Sequence, residues 1–387
     1  MSTHMRCTLR WGILLVLGLT LGCPTEGEEP INPPTDHPEV GLDPLSFPVG
    51  ERGPFQAGWR GWDVTYVPEG QSSPRTVFLN LWYPTEELVG LDVEYLEGRF
   101  PDEEALGDAA LAAPLAGGTF PVMVYSHGFQ GWGGTSADLC RWFASHGWVV
   151  VAPDHTGNTI ADHQDPLETA HYLAKPQDLR AMLDALETLP SEDPLAGLAD
   201  TSQALLTGHS FGASLATWAG IGASFDPDAV DAACAGGGGL PTGTCTEEQR
   251  SGFVSGELTD ERFVAAIPLA GTIRRSFFGS EGHRTARGPV LSMTGTNDGN
   301  PQNYLDQWES IDGLDFTWLS LEGACHQTFA LGFCSTLDVA EGFRIVNTYA
   351  LAFGRAHVLG DSSAEVLGIL DGSVSISDAV TFLRKTE

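Results

Sequence analysis

Residues 204–216 read ALLTGHSFGASLA, an apolar run followed by a serine between two glycines and then by small residues. This order predicts a strand, a sharp turn and a helix, the arrangement in which a Gly-x-Ser-x-Gly turn exposes its serine. Gly208 and Gly212 are needed because strand and helix approach each other closely on either side of the strained serine. Glycine is frequent here, at 47 of 387 residues, so the pattern alone also fits an incidental turn serine. Ser210 is therefore a candidate nucleophile whose partners must be found.

Apolar strand-like runs alternate with helical segments on both sides of this turn. Such strands, separated by helices, predict an α/β fold with a mostly parallel central sheet and helices on both faces. An early antiparallel pair is expected at 61–67 and 76–83, and two short helices are expected in the C-terminal residues 359–387, at 363–370 and 377–383. The other predicted strands lie at 121–125, 148–152, 263–267, 290–293 and 316–319, and the main helices at 136–145, 177–189 and 339–356.

Residues 225–262 interrupt this alternation with an acidic, glycine-rich segment. In open α/β sheets the carboxyl edge carries the ligand crevice, so the segment is interpreted as a lid or pocket wall, or equally as an inert surface insertion. Proximity in sequence suggests disulfides between Cys234 and Cys245 and between Cys325 and Cys334. Cys140 is expected to remain a buried thiol on a helix.

The N-terminus is typical of an exported protein. Residues 1–22 combine Arg6 and Arg10 with a short apolar run, as a signal peptide does. Thr20-Leu21-Gly22-Cys23 resembles a bacterial lipobox, which predicts lipidation of Cys23; cleavage without lipidation is the alternative. Residues 23–45 form a Pro/Glu-rich tether, and a catalytic domain is expected at 46–358. A membrane-anchored lipoprotein, periplasmic or at the cell surface, is predicted, with a secreted soluble protein as the alternative.

The charge balance limits the possible partners. With 51 Asp and Glu against 19 Lys and Arg, the formal net charge is −32. Nucleic acids and anionic membrane surfaces require basic patches, so neither is expected as a partner, and membrane contact is expected only through the lipid anchor. No Gly-x-Gly-x-x-Gly after a strand and no Walker loop occurs, so no cofactor is predicted. The oligomeric state is not determined by the sequence.

Two downstream loops supply partners for Ser210. Asp298 follows the predicted strand 290–293, and His326 follows the last strand directly. This is the chain order Ser, Asp, His in which the acid orients the histidine and the histidine takes the serine proton. Asp298 could also be a plain turn aspartate beside Gly299, and the alternative acids are Asp315, Asp312 and Glu322.

An oxyanion needs two backbone N–H donors. Phe211, after the candidate nucleophile, is expected to supply one, and Phe129 in Tyr125-Ser126-His127-Gly128-Phe129 the other. Trp132 and His127 in the same region are candidate substrate-pocket residues, as is Phe129.

A second polar cluster follows the strand 148–152. Mixed Asp and His side chains can bind a divalent cation, but their spacing here matches no ligand pattern, so a solvated polar loop is the preferred interpretation and no metal site is predicted. The residues are Asp154, His155, Asp162, His163, Asp165 and His171.

Three motifs carry a resemblance to a known group: the His-Gly turn at 125–129 with its continuation at 144–150, the serine turn at 208–212, and His326-Gln327-Thr328-Phe329. Over roughly 47–353 the chain resembles α/β-hydrolases of the platelet-activating-factor acetylhydrolase and dienelactone-hydrolase-like group. In plasma-type acetylhydrolases the acid follows the strand after the nucleophile helix, where this chain has Leu269-Ala270-Gly271. Asp298, after the next strand, occupies the commoner α/β-hydrolase position.

The resemblance implies a metal-independent serine esterase acting on short-acyl esters or on acetylated or oxidised phospholipids. A triacylglycerol lipase or polyester hydrolase is the alternative among enzymes. An inactive surface lipoprotein that keeps the fold as a binding scaffold is the alternative of another class.

Overall fold

A computed structural model describes residues 43–386, except 70, 72, 116–117, 237–239 and 241–243. These residues belong to one compact unit, Pro38–Glu387. The predicted signal peptide, Cys23 and nearly all of the tether lie outside the described residues, so these expectations stay predictions. Within the described part of the chain, no helix combines the length and apolar character needed to cross a bilayer.

An eleven-stranded sheet forms the centre of the described unit, in the order β11-β10-β9-β8-β7-β5-β6-β2-β1-β4-β3. The six strands from β10 to β6 in this order pair in parallel, whereas β1 and β2 pair antiparallel, as expected. The strands are β1 Gln56–Tyr66, β2 Arg75–Thr85, β3 Leu91–Tyr95, β4 Phe100–Gly107, β5 Phe120–Ser126, β6 Val149–Asp154, β7 Ala199–His209, β8 Phe263–Leu269, β9 Val290–Asn297, β10 Phe316–Cys325 and β11 Val380–Lys385.

Helices cover the sheet on both faces, which produces two apolar cores. Leu179, Met182 and Leu183 of α2 pack in one core, and side chains of α1 and α8 pack in the other. The predicted α/β fold is confirmed. The helices are α1 Ala137–Ser145, α2 Thr169–Glu187, α3 Trp218–Gly220, α4 Pro227–Cys234, α5 Glu247–Val254, α6 Arg275–Phe278, α7 Pro301–Ser310, α8 Val339–Val358 and α9 Ala364–Leu370.

The central strands β5 and β6 are mostly apolar because both of their faces are covered. All six residues of β6 are buried, and so are six of the seven residues of β5. In an alternating strand one face would meet water. These buried strands end together at one edge of the sheet, and the loops that leave this edge carry the candidate site.

The C-terminal tail corrects one prediction. Helix α9 forms as expected, but the predicted helix 377–383 is wrong, because this segment forms β11 and pairs antiparallel with β10. An uncovered β10 would present unpaired N–H and C=O groups, and the run Val380-Thr381-Phe382 has the β-branched and aromatic residues that suit a strand. Tertiary pairing therefore decides the structure of the tail.

Other boundaries also differ from expectation. Helix α2 begins at Thr169 and contains Pro176, whereas the expected helix began at 177. A proline inside a helix removes one hydrogen bond and disfavours the turn before it. Strands β3 and β4 were not predicted. They form an antiparallel pair whose β4 joins β1 in parallel, at the edge of the sheet farthest from β11.

Both predicted disulfides are present, Cys234–Cys245 and Cys325–Cys334. Cys140 is a buried free thiol on α1, also as predicted. The described parts of 225–262 contain α4, capped by the Asp226 carboxylate, and α5, which begins with a capping box at Thr246. The first disulfide joins the end of α4 to the residues before α5.

Candidate active site

The serine turn lies at the carboxyl end of β7 and has the strained geometry expected of it. Ser210 has φ 55°, in the left-handed region that side chains other than glycine disfavour. A Cβ at Gly208 would come within 2.6 Å of the Thr217 hydroxyl, and a Cβ at Gly212 would collide with the carbonyl oxygen of Ser126. The π-helix Gly212–Thr217 leaves the turn. Both flanking glycines are therefore required by close approach of the backbone.

The loop after β5 passes directly beside this serine. A Cβ added at Gly128 would lie 3.0 Å from the Ser210 Cβ and 3.2 Å from Nδ1 of His209. Phe129, the next residue, and Phe211 line the same cavity as Ser210. The two loops proposed from sequence to carry oxyanion donors thus meet at the candidate nucleophile.

Asp298 and His326 meet across the ends of β9 and β10. Nδ1 of His326 lies 2.8 Å from Oδ1 of Asp298, and the carboxylate is buried whereas 40% of the imidazole side chain is exposed. The phenolic hydroxyl of Tyr304 on α7 donates to the other oxygen, Oδ2, at 2.7 Å. The carboxylate is therefore held on both oxygens, and one ring nitrogen of His326 is occupied.

His209 connects the serine turn to the histidine loop. Its Nε2 donates to the carbonyl oxygen of His326 at 3.0 Å, and the two imidazole rings are 4.6 Å apart between centroids. Burial, with the nearby His326, lowers the pKa of His209 to about 3. A neutral His209 therefore braces the segment that carries His326.

A buried lysine holds the loop after β5 through a hydrogen bond to its backbone. Lys175 of α2 is 1% exposed, and its Nζ donates to the carbonyl oxygen of His127 at 2.8 Å. His127 is fully buried; its Nδ1 donates to the carbonyl oxygen of Gly128, and its Nε2 accepts from the amide of His155. Burial, followed by the effect of Lys175, lowers the pKa of His127 well below its usual value. The loop beside Ser210 is thus held by side-chain hydrogen bonds.

This network continues into a buried ion pair. Nδ1 of His155 donates to Asp178 at 2.7 Å, and its Nε2 lies 3.0 Å from the Ser126 hydroxyl. Arg75 binds both carboxylate oxygens of Asp178. Burial opposes ionisation of Asp178, but Arg75 lowers its pKa below the usual range. Burial lowers the pKa of His155 to about 3, so this histidine is neutral.

Ser210 opens into a cavity of about 530 Å³, a size suited to a small organic ligand. Aromatic and polar groups share its wall. The lining residues are Phe129, Asp165, Leu167, Tyr172, Ser210, Phe211, Ser214, Ala270, Gly271, Thr272, Arg274, Gly299, Asn300, Asn303 and Tyr304.

Two predicted pocket residues do not line this cavity. Trp132 is 6% exposed and stacks on Phe100 with ring centroids 3.8 Å apart, in the core on the other face of the sheet. The chain turns sharply at Gln130, where φ is 59°, and this turn separates Trp132 from Phe129. His127 is buried in the network described above. The prediction is wrong for Trp132 and His127, although Phe129 does line the cavity.

The segment 225–262 lies behind the cavity wall in the part that the structure describes. None of its described residues lines the cavity; Asp165, Leu167 and Tyr172 form that side instead. Phe253 of α5 packs against Phe277, and Phe277 packs against Tyr172. The segment therefore supports the wall from outside, and a lid function stays a prediction.

The Asp/His cluster after β6 separates into different environments. Asp154 is buried, accepts from Asn80 and the amide of Gly133, and has a pKa raised to about 6 by burial. His155 belongs to the network under Ser126, and Asp162 accepts from the backbone of 157 and 159. Among the described residues, no group of three or more His, Cys, Asp or Glu side chains could hold a metal ion.

Three important side chains were not found from the sequence. Tyr304, Lys175 and Arg274 carry no motif, and each reaches the site from an element distant in sequence from Ser210. Lys175 did carry a faint signal, since it is one of only two lysines in the chain and lies beside Pro176 in a helix that is mostly buried.

Comparisons with known proteins agree with this fold. The sequence model of the chlorophyllase family matches residues 103–224, which is less than half of the chain but includes the loop after β5 and the serine turn. The structure of a ferulic acid esterase from Streptomyces cinnamoneus is similar in fold: the TM-score is 0.57 at 20% identity, covering 88% of this chain and 98% of that one. No curated protein sequence matches significantly.

The fold is that of an α/β-hydrolase, as predicted. Together with the family match, it also agrees with the prediction of an esterase, a carboxylic ester hydrolase. The narrower acetylhydrolase resemblance is not tested by these comparisons.

Proposed function

We propose that this protein is a serine carboxylic-ester hydrolase with Ser210 as nucleophile, His326 as base and Asp298 as the acid that orients it. The Ser210 oxygen attacks the ester carbonyl carbon while Nε2 of His326 accepts the hydroxyl proton. The carbonyl oxygen becomes an oxyanion stabilised by the backbone N–H groups of Phe211 and Phe129. Asp298 remains ionised and stabilises the imidazolium through Nδ1–H.

The tetrahedral intermediate then collapses to an acyl-enzyme, which water hydrolyses in a second step. The bond to the leaving alcohol breaks, and His326 returns its proton to the alcohol oxygen, leaving an acyl-serine. Water attacks this ester with His326 again taking a proton, and the Ser210 oxygen leaves and recovers the proton. The products are one alcohol and one carboxylic acid, and the enzyme is regenerated.

One observation carries the proposal. The buried Asp298 carboxylate contacts Nδ1 of His326 at 2.8 Å, on a loop that His209 ties to the strained Ser210 turn. A solvated loop histidine needs neither a buried carboxylate nor a brace. This arrangement favours an enzyme over an inactive binding scaffold.

For the substrate we propose short-acyl esters, and among these the acetylated or oxidised phospholipids that the acetylhydrolase resemblance implies. The cavity volume of about 530 Å³ supports a small acyl group more readily than a long chain. The aromatic side chains of Tyr172, Phe211 and Phe129 in the cavity wall favour aromatic esters as a second candidate. One solved structure of similar fold is a ferulic acid esterase.

The test is hydrolysis of p-nitrophenyl acetate, butyrate and palmitate, and of methyl ferulate, by the chain lacking residues 1–23, with a chelator present. We expect the acetate and butyrate to be preferred, and Ser210→Ala to lose at least about 10³-fold in kcat. A preference for palmitate would indicate a lipase instead, and a preference for methyl ferulate the aromatic ester class.

A control separates inactivity from the wrong substrate. A fluorophosphonate probe should label wild type and not Ser210→Ala, whatever the natural ester. Absence of both turnover and labelling would leave the binding scaffold as the better explanation.

We further propose that the protein is exported and anchored through Cys23. Two disulfides among the described residues support an oxidising compartment. Mass spectrometry of the mature N-terminus should find a lipid-modified Cys23 at residue 1 of the mature chain. An unmodified N-terminus would indicate a secreted soluble protein.

A further inference from the structure

Arg274 is a cationic group in the wall of the cavity that contains Ser210. It lies after β8, where its backbone amide donates to the carbonyl oxygen of Ser214 at 3.0 Å, and its side chain is half-buried. The residue is therefore attached to the π-helix that follows the nucleophile, and its side chain lines the same cavity.

The Arg274 guanidinium makes cation–π contacts with two aromatic rings and has no carboxylate partner among the described residues. Its central carbon lies 5.3 Å from the ring centroid of Tyr172 and 5.4 Å from that of Phe211. A cation–π contact of this kind leaves the N–H groups of the guanidinium able to donate to a further partner. Phe211 is also the residue proposed to supply an oxyanion donor, so Arg274 is held close to the reacting centre.

Most of the buried or half-buried arginines among the described residues are paired with a carboxylate. Arg75 pairs with Asp178, Arg141 with Asp102 and Arg355 with Asp361. Within the described residues, Arg274 has no carboxylate at ion-pair distance and its guanidinium donates no hydrogen bond. In a chain with a formal charge of −32, a half-buried arginine left without an acid in a cavity indicates a site for an external anion.

The other polar groups of the cavity are compatible with an anion site at Arg274. Asp165 is its one lining carboxylate among the described residues, and it is exposed and makes no ion pair with Arg274. An adjoining depression of about 690 Å³ shares three wall residues with the cavity, Thr272, Arg274 and Asn303. Arg274 therefore lies where the two depressions meet, with room for a substrate that extends past the ester group.

We infer that Arg274 binds a carboxylate carried by the substrate, so that the preferred substrates are anionic esters rather than neutral ones. The planar guanidinium edge suits a carboxylate, which it can bind through two parallel N–H···O bonds. This inference rests on the proposed function, because it concerns the ester that Ser210 would attack.

The experiment compares matched anionic and neutral esters at one fixed ionic strength. One pair places the carboxylate in the leaving group, 4-acetoxybenzoate against its methyl ester. The other places it in the acyl group, p-nitrophenyl hydrogen glutarate against p-nitrophenyl valerate, with spontaneous hydrolysis subtracted. Arg274→Gln should lower kcat/KM for one or both anionic esters roughly 10- to 100-fold and change the neutral partners less than about threefold.

Two further variants test whether the guanidinium of Arg274 causes the loss on anionic esters. Arg274→Lys should recover only part of the loss, because an ammonium is a point charge without the planar fork. Arg99→Gln is the matched control: it removes the same charge from an exposed residue that does not line the cavity, and it should leave the ratio of anionic to neutral rates unchanged.

Equal loss on anionic and neutral esters in Arg274→Gln would overturn the inference and make Arg274 a wall residue only. An equal effect of Arg99→Gln would also overturn it, since bulk charge would then explain the preference. Calorimetry of 4-acetoxybenzoate with Ser210→Ala measures binding without turnover, and Arg274→Gln in that background should weaken this binding by roughly 10- to 100-fold. Turnover that survives Ser210→Ala would instead refute the proposed function, so the two failures are distinguishable.

Discussion

At the scale of single residues, the candidate site depends on how the acid is held. Asp298 is buried, and each of its oxygens has one side-chain partner, His326 on Oδ1 and Tyr304 on Oδ2. Burial, followed by the hydrogen bond to Asp298, raises the pKa of Tyr304 above its usual value, so the phenol remains a donor. Tyr304 is thus a positioning residue that also lines the cavity.

Removing this phenolic hydroxyl should weaken catalysis without unfolding the protein. Tyr304→Phe leaves Oδ2 of Asp298 without its donor, and hydrogen bonds to charged groups contribute about 1.5–3 kcal/mol. We expect kcat for p-nitrophenyl acetate to fall about tenfold or more while KM changes little. Steady-state kinetics of the purified variant measure both parameters.

Tyr83→Phe provides a matched control. The Tyr83 hydroxyl is also buried and donates to the carbonyl oxygen of Ala109, outside the candidate site. Its removal should lower the free energy of unfolding by about 0.5–1.5 kcal/mol, as for a hydrogen bond to a neutral acceptor, and leave kcat unchanged. If Tyr304→Phe behaves in the same way, Tyr304 has no positioning role.

At the scale of elements, the loop after β10 carries the candidate base and is closed by a disulfide. Cys325 immediately precedes His326, and its partner Cys334 lies nine residues further along the chain. His209 braces the same segment through the His326 carbonyl. The orientation of the imidazole therefore depends on a short cross-linked loop.

Opening this disulfide should affect both stability and rate. Cys325→Ser combined with Cys334→Ser should lower the free energy of unfolding by about 2–4 kcal/mol. It should also reduce kcat/KM several-fold, because the His326 loop gains freedom. Urea unfolding and p-nitrophenyl acetate kinetics measure the two effects.

The second disulfide supplies the comparison. Cys234→Ser combined with Cys245→Ser opens a loop of similar length in a segment whose described residues do not line the cavity. Stability should fall comparably while kcat/KM stays within about twofold of wild type. Equal losses of activity in the two double variants would show that the loop after β10 has no special role.

At the scale of the whole molecule, several buried histidines are kept neutral. Burial, as the main cause, lowers the pKa of His155 and His209 to about 3 and that of His146 to about 4. In the unfolded chain a histidine has a pKa near 6.5. Below that value the unfolded chain therefore binds protons that the folded protein does not bind.

The free energy of unfolding should consequently decrease as the pH falls from about 6.5 toward 4. Each such histidine contributes a slope of up to about 1.4 kcal/mol per pH unit. Asp154 acts with the opposite sign, since its folded pKa of about 6 favours the folded state as the pH falls toward 4. Urea unfolding at pH 7, 6 and 5 measures the net slope.

His146→Gln isolates one contribution without touching the candidate site. His146 lies at the end of α1, where its Nε2 contacts the carbonyl oxygen of Glu51. In this variant the free energy of unfolding should depend less steeply on pH, by the equivalent of about one proton or about 1.4 kcal/mol per pH unit. A stability that stays constant or rises between pH 6.5 and 5 would contradict this account of the buried histidines.

Features that depend on neighbouring residues can be recognised in the sequence. The apolar runs of β5 to β9 are recognisable because strands covered on both faces need no polar alternation. The serine turn shows its glycines, and both disulfides join cysteines close together in the chain. Asp298 and His326 were proposed from their places after predicted strands, and their contact is observed.

Features that depend on residues distant in the chain are visible only in the folded protein. The tail became a strand because the edge of β10 was open to pairing, and Trp132 entered the core on the other face because the chain turns at Gln130. The roles of Lys175 and Arg274 depend on contacts with residues far away in the chain. Burial, charge pairing and sheet edges are properties of the folded chain, and no local pattern encodes them.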